Sequence, residues 1–248
     1  MDVHIHSLLF CSNMSLYRSK FVVYVPNYHL TMKCKFCSNS CIRKGFQKNG
    51  IQKYYCSPCK KYQQKEYSYF ACYSQTNHQI VSLIKASCGI RDISRVLSIS
   101  STTVLKRILL ISDMVKKPII SRGKTYEVDE MITHIGRKDR KICIVYAIDR
   151  KSRSVVDFNV GRRNKTTLRM VVNTLLLSES KEIRTDRLNL YLGLIPEEIH
   201  LVKRRGTNYI ERKNLTLRTQ LKRLNRRSIA YTRSLAVLVA ILKIYFWY

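Results

Sequence analysis

KTYEVDEMITHIGRKDRKICIVYAIDRKSRSVVDFNVG, Lys124 to Gly161, decides how the second half of this chain is read. It contains three β-rich runs, KTYEVDEM, ICIVYAID and SVVDFNVG, joined by charged turns, and that pattern predicts an antiparallel meander. Downstream, TTLRMVVNTLLL has helical spacing. EIRTD reads as a short strand ending at Asp186, LNLYLGLI as a short helix and IHLVK as a strand. A long basic helix follows from Tyr209 to Leu224, with Ile210, Leu217, Leu221 and Leu224 as its buried stripe. The terminal run LAVLVAILKIYFWY, Leu235 to Tyr248, is too short to span a membrane and reads as a buried helix.

The resulting order, β-β-β-α-β-α-β-α, is that of a ribonuclease H-like mixed sheet with flanking helices, expected over residues 119–248. In that topology the first and fourth strands are parallel neighbours, so Asp129 and Asp186 meet at one rim. The antiparallel second strand sends Asp149 to the opposite rim. Glu130 follows Asp129 directly and should point to the other face of the sheet. The basic helix passes the Asp129 rim carrying Glu211, the only side-chain carboxylate from Ile199 to Tyr248. Three converging carboxylates repel unless hard divalent cations neutralise them. Two magnesium ions at Asp129, Asp186 and Glu211 would suit phosphodiester chemistry. Arg212, Arg218 and Lys222 on the same helix would hold a DNA backbone. The bland alternative is that Glu211 only makes a salt bridge on a solvated helix.

Working toward the N-terminus, DMVKKPIISRGK (Asp113 to Lys124) is a linker punctuated by Pro118 and Gly123. Before it, helical spacing marks Ile80, Leu83 and Ile84, then Ile93, Val96 and Leu97, then Val104, Leu105, Ile108 and Leu109. This is a three-helix unit of helix-turn-helix form over residues 74–114. Ser100 or Ser101 would cap the third helix. Thr102, Thr103, Lys106 and Arg107 would face outward toward bases and phosphates.

Nine cysteines include Cys34-x2-Cys37 and Cys56-x2-Cys59, eighteen residues apart. That spacing predicts a structural zinc ribbon over residues 32–70, closed by four thiolates. Cys41, four residues after Cys37, also stands at a chelating distance in sequence. Residues 1–31 lack periodicity apart from FVVYV and read as an extension or an ordinary N-terminal strand. They show no signal peptide. The fold class is therefore multidomain, α+β with α/β: ribbon, helix-turn-helix, catalytic sheet.

The formal net charge is +30 over 248 residues, which calls for an anionic partner. Double-stranded DNA fits better than a membrane, because the basic residues are spread over folded segments without an apolar anchor.

MKCKFC, the second CxxC, VDEM, VYAID, RTDRLNLY and IHLVKRRGTNYIERKNLTLRTQLKRLNRRSI together resemble the transposases of the insertion-sequence-one type, over Met32 to Tyr248. The resemblance implies a DDE triad falling on Asp129, Asp186 and Glu211. It also implies magnesium-dependent nicking at the inverted-repeat ends of a mobile element and attack of the freed 3′-hydroxyl on target DNA. A homo-oligomer on DNA and a bacterial, cytoplasmic, nucleoid-associated location go with it. His200 matches a family position. Ile132 and Thr133 stand where the family often has an aromatic, and Arg187 where a Trp or small residue is common. These departures bear on substrate positioning rather than on the carboxylates. The rival function is a DNA-binding regulator whose C-terminal half is catalytically dead.

Overall fold

A computed structural model describes residues 32–202, 206–225 and 230–248. The expectations for residues 1–31, FVVYV among them, lie outside the described residues, as do 203–205 and 226–229 of the basic segment. The chain divides into two compact units, Met1–Glu66 and Tyr67–Tyr248.

The first unit carries strands β1 (Ile42–Phe46), β2 (Gln52–Cys56) and β3 (Lys61–Gln63) in an antiparallel sheet of order β1-β2-β3. Its buried hydrophobic cluster is small: Cys34, Cys41, Tyr54 and Cys56. Phe36, Ile42, Phe46 and Tyr62 are exposed.

In the second unit the three expected helices are present as α1 (Thr76–Lys85), α2 (Ile90–Val96) and α3 (Ser101–Met114). Ser100 caps α3, its hydroxyl accepting from the Thr103 N–H at 3.0 Å. Ile80, Ile84, Ile93, Val104 and Ile108 are fully buried, whereas Val96 is 63 % exposed. Val96 is the last residue of the short α2, and the chain leaves the helix there before the stripe can turn it inward.

The expected meander follows as β4 (Thr125–Ile135), β5 (Arg137–Asp149) and β6 (Val155–Gly161). The charged segment after Gly136 is not a turn. Arg137–Lys141 extend β5 as an exposed projection, and Gly136, at φ 72°, makes the reversal. Then come α4 (Lys165–Leu177), β7 (Glu182–Arg184), β8 (His200–Leu201), α5 (Asn208–Gln220) and α6 (Leu235–Trp247). The sheet order is β6-β5-β4-β7-β8, with β7 parallel to β4 and β5 antiparallel to it. That is the ribonuclease H-like arrangement. Three segments are shorter than expected. β7 stops at Arg184, LNLYLGLI forms only a 3-10 turn at Asn189–Tyr191, and the basic helix breaks at Leu221 before a second 3-10 turn.

One sheet face packs on α4 through Tyr126, Val128, Val145, Leu168 and Val172. The other packs on α5 and α6 through Ile144, Tyr146, Ile210, Leu217, Leu238 and Leu242. The opposite side of α6, through Val237, Ala240, Ile241 and Ile244, joins the core of α1–α3. A helix apolar all round is thus buried on two sides. It ties the three-helix layer and the sheet into one compact unit. No helix of the described residues is long and apolar enough to cross a membrane.

Asp149 pairs with Tyr126 at the start of β4, whereas β4 runs on to Ile135 and leaves Asp129 in mid-strand rather than at a rim; the role of Asp149 is structural. Its carboxylate accepts from Lys124 Nζ at 2.8 Å, Lys151 N at 2.9 Å and Ser152 Oγ at 3.1 Å. Burial favours the neutral acid, but Lys124, the Lys151 N–H and Ser152 outweigh it and hold the pKa below the usual carboxylate value. A depressed folded pKa contributes stability that is complete above the unfolded value near 4 and is lost as pH falls through the folded one. Asp149→Asn should cost about 1–3 kcal/mol at pH 7. In urea unfolding the gap from wild type should hold from pH 5 to 8 and close below about pH 4. Equal midpoints at pH 7 would rule this anchor out.

Candidate active site and metal centre

β7 pairs with β4 only from Thr125 to Glu127. Beyond Glu127 the β4 edge has no strand beside it on that side, and Asp186, two residues past β7, lies in the gap. Carboxylate oxygens of Asp129, Glu130 and Asp186 lie within 4.8 Å of one another. The topology therefore brings Asp129 and Asp186 together as expected. It adds Glu130, which strict alternation assigns to the other face. Alternation does hold, since Asp129 meets α5 while Glu130 lies beside Tyr191 and Arg163. At an unpaired edge, however, side chains from both faces can reach around the strand.

Asp129 Oδ1 accepts from the Glu130 N–H at 2.7 Å and Oδ2 from the Asn214 amide at 2.6 Å. Asn214 in turn accepts from the Tyr146 hydroxyl at 2.8 Å. Burial, reinforced by the charges of Glu130 and Asp186, raises the Asp129 pKa to about 7 despite these donors. Burial also pushes Glu130 up. The neutral form of Asp129 is thus favoured, and a divalent ion at this site would favour the charged one. Asp186 is exposed, and its Oδ1 accepts from Leu188 N at 3.0 Å. Behind it, Thr185 Oγ1 and His200 Nε2 lie 2.7 Å apart, and burial lowers the His200 pKa. His200 thus braces the segment that presents Asp186.

Glu211 stands one turn before Asn214 on α5. It is exposed, and its Oε1 accepts from Thr207 Oγ1 at 2.9 Å. The acidic cluster found among the described residues does not include it. Helix α5 is fixed to the sheet by Glu127, a residue the sequence pattern did not single out. Its carboxylate is fully buried and accepts from the Ile210 N–H in the first turn of α5 at 2.9 Å. Arg150 Nε lies 3.1 Å from the other oxygen, and the guanidinium covers the Tyr209 ring at 5.2 Å. An acid two residues before Asp129 on the same face was the available signal.

The basic residues divide in two. Thr102, Lys106, Arg212 and Lys222 are exposed. Thr103 is half-buried, its N–H bonded to the cap hydroxyl of Ser100. Arg107, expected to face outward, is half-buried and donates to the Ala71 carbonyl at 2.7 Å. It lies on the α3 side that meets the segment before α1. Arg218 donates to Leu224 O at 3.2 Å, closing the turn after α5.

In the first unit the sulfurs of Cys34, Cys37, Cys56 and Cys59 form one cluster. Cys34 and Cys59 Sγ are 3.9 Å apart, Cys37 and Cys56 Sγ 3.5 Å. Zinc–sulfur bonds of about 2.3 Å place tetrahedral sulfurs about 3.8 Å apart, so the set fits zinc. Burial opposes ionisation of Cys34. The N–H groups of Phe36 and Cys37 and the Gln63 amide, 2.9 Å from its sulfur, outweigh burial and bring the pKa to about 6. The hydrogen bond with Cys37, then burial, pushes Cys59 up to about 12. Cys41 is buried beside the cluster without joining it, and burial raises it to about 11.

Fold and site together define the class: a ribonuclease H-like domain whose carboxylate cluster sits between the first and fourth strands, on a chain that also carries a four-cysteine cluster fit to hold a metal. The family described as IS1 transposase matches residues 124–246, which include Asp129, Asp186 and Glu211. Insertion element IS1 protein InsB of Shigella flexneri is 36 % identical over 108 residues, 44 % of this chain and 82 % of that protein. Insertion element IS1 2 protein InsB of Escherichia coli K12 is 34 % identical over 108 residues, 44 % of this chain and 65 % of its own length. The HTLV-2 integrase catalytic core in complex with magnesium aligns at 16 % identity and TM-score 0.32, over 52 % of this chain and 86 % of that one. The chain belongs to the IS1 transposase family.

Proposed function

We propose that the chain is a DNA transposase that binds the terminal inverted repeats of a bacterial insertion sequence and catalyses metal-dependent strand cleavage and transfer. The proximity of the Asp129, Glu130 and Asp186 carboxylates, on the stretch of β4 edge that β7 leaves unpaired, carries the reading. Asp129, Asp186 and Glu211 are the catalytic ligands. They would hold magnesium, which when bound would supply Lewis-acid activation of the attacking oxygen and charge stabilisation of the leaving one. The residues of the chain do the rest. Asn214 and the Glu130 N–H hold Asp129 in place, Thr207 holds Glu211, and Glu127 fixes the helix that carries both Asn214 and Glu211. Arg212 and Lys222, both exposed, face the phosphodiester backbone, while Arg218 closes the turn after α5. In cleavage a water oxygen attacks phosphorus and loses a proton to solvent, the P–O3′ bond breaks to leave a 5′-phosphate, and the departing 3′-oxygen takes a proton from solvent to become the 3′-hydroxyl. In joining, that hydroxyl attacks a target phosphodiester and a target 3′-hydroxyl leaves.

Repeat recognition falls to α3, through Thr102, Thr103 and Lys106, with Arg107 held back by Ala71. The enzyme works as a homo-oligomer on DNA, in the cytoplasm at the nucleoid. The test is nicking and joining of a labelled terminal-repeat duplex with magnesium. A second reading, a non-catalytic regulator, draws on the turning of Glu211 toward Thr207, and repeat binding without nicking would favour it. Repeat affinity should fall with salt at a log–log slope of about −0.9 per phosphate neutralised. Thr102→Ala or Lys106→Ala should weaken repeat binding more than Lys222→Ala. Equal loss of specificity from both regions would count against a recognition role for α3.

A further inference from the structure

We propose that Glu130 is a fourth carboxylate of the cation site, holding a divalent ion together with Asp129 and Asp186 from the sheet face opposite α5. The inference rests on the cation-dependent reading of this site and extends its ligand set.

The buried carboxylates of this domain supply the contrast. Glu127, Asp149 and Asp157 each have a cationic nitrogen close by: Arg150 at 3.1 Å, Lys124 at 2.8 Å and Lys117 at 2.8 Å. The Glu130 side chain is as buried as theirs, 2 % exposed, yet its nearest recorded cation, Arg163 Nη2, stands 3.7 Å from Oε2. A charge-assisted hydrogen bond would be about 2.7–2.9 Å. Its other oxygen, Oε1, is buried and, like Glu127 Oε1 and the Tyr191 hydroxyl beside it, makes no hydrogen bond of normal length among the described residues, although the nearby Tyr191 favours its charged form. A buried carboxylate oxygen left bare is costly. The groups within reach on the strand edge are carboxylates, Asp129 and Asp186, which repel it. Arg163 and Tyr191 offset part of that repulsion, and an added cation would offset the rest.

The dimensions suit one. Ligand oxygens around octahedral magnesium, at about 2.1 Å from the ion, are separated by about 3 Å when adjacent and about 4.2 Å when opposite. A cluster spanning no more than 4.8 Å needs only a small contraction to close on the ion. Asp129 and Asp186 then lie between two acids on opposite sides of the sheet, Glu130 beside Tyr191 and Glu211 on α5. This gives each of two cations its own outer carboxylate.

The test is manganese binding to the full, DNA-free chain, followed by calorimetry and by the electron paramagnetic resonance of free ion. Glu130→Gln keeps the shape and the contact with Arg163. It is expected to weaken the tighter manganese site at least tenfold, as Asp186→Asn should. Glu211→Gln should leave that site within twofold of wild type. Wild-type affinity in Glu130→Gln, with binding still lost in Asp186→Asn, overturns the proposal and leaves the three-carboxylate reading intact. If wild type itself binds no manganese in a way that depends on Asp186, both readings fall. Arg163→Met guards against misfolding of the first variant. Removal of the competing guanidinium should tighten manganese binding, whereas a purely structural Glu130–Arg163 pair would lose thermal stability with no change in affinity.

Discussion

Asp186→Asn and Glu211→Gln are each expected to lower nicking of a terminal-repeat duplex by about a thousandfold or more, with DNA binding preserved or tightened. The size follows from what the groups hold. Each substitution keeps volume and hydrogen bonding but removes a charge from a site whose rate advantage is electrostatic, where loss of even one donor costs about 10²–10³. Ligands that serve one cation pair act as a unit, so the double variant should be little worse than either single one. Binding survives because net charge +30 dominates the encounter, and removing a carboxylate also removes repulsion from phosphate. For Glu211 the competing outcome is sharp. If it serves only as the partner of Thr207 on an exposed helix, Glu211→Gln changes stability by about 0.5 kcal/mol and leaves nicking intact. Normal nicking by that variant would remove Glu211 from the catalytic ligands, although Asn214 keeps α5 beside Asp129; repeat binding by wild type without any nicking is what would put the regulator reading in front.

What could be read from the sequence was set by local repetition. Period-two runs gave β4, β5 and β6, and strand order then placed Asp129 near Asp186, more than fifty residues away. Apolar residues at helical spacing gave α1 to α3, and cysteine spacing gave the thiol cluster. The misses come from long-range geometry. Alternation does send Glu130 and Asp129 to opposite faces, but β7 ends too early to wall off the β4 edge, so carboxylates from both faces approach Asp186. Arg107 looked free because its acceptor, the Ala71 carbonyl, is a backbone atom with no signature in sequence. The dual packing of α6 was invisible for a different reason. A run apolar on every side says that a helix is buried but not between which layers. Glu127 was hidden in plain view, because an acid in a strand next to basic turns reads as solvent-facing until α5 covers it.

Removal of metal from the cysteine centre is expected to unfold β1–β3 outright. Tyr54 is the one large aromatic ring buried in that unit's described residues, and burying such a side chain contributes about 1.5–3 kcal/mol. Apparent zinc binding in comparable small sites is about 10–16 kcal/mol at neutral pH, so the metal rather than the apolar core decides whether this unit folds. The full chain should carry one zinc. Chelation should abolish hydrogen-exchange protection of the Tyr54 and Cys56 amides while leaving β4 and β5 protected, since their core contains no cysteine of the cluster. Cys56→Ser should lose the zinc and behave like the chelated protein. Cys41→Ser should keep the zinc, because Cys41 is buried beside the four sulfurs without belonging to their group. Gln63 sharpens the distinction. Its amide donates to Cys34 at 2.9 Å but lies 3.9 Å from Cys41 Sγ, so the donor favours the thiolate of the first residue, not the second. A Cys41→Ser protein without zinc, or a Cys56→Ser protein with protected β2 amides, would mean that the ligand set has been drawn wrongly.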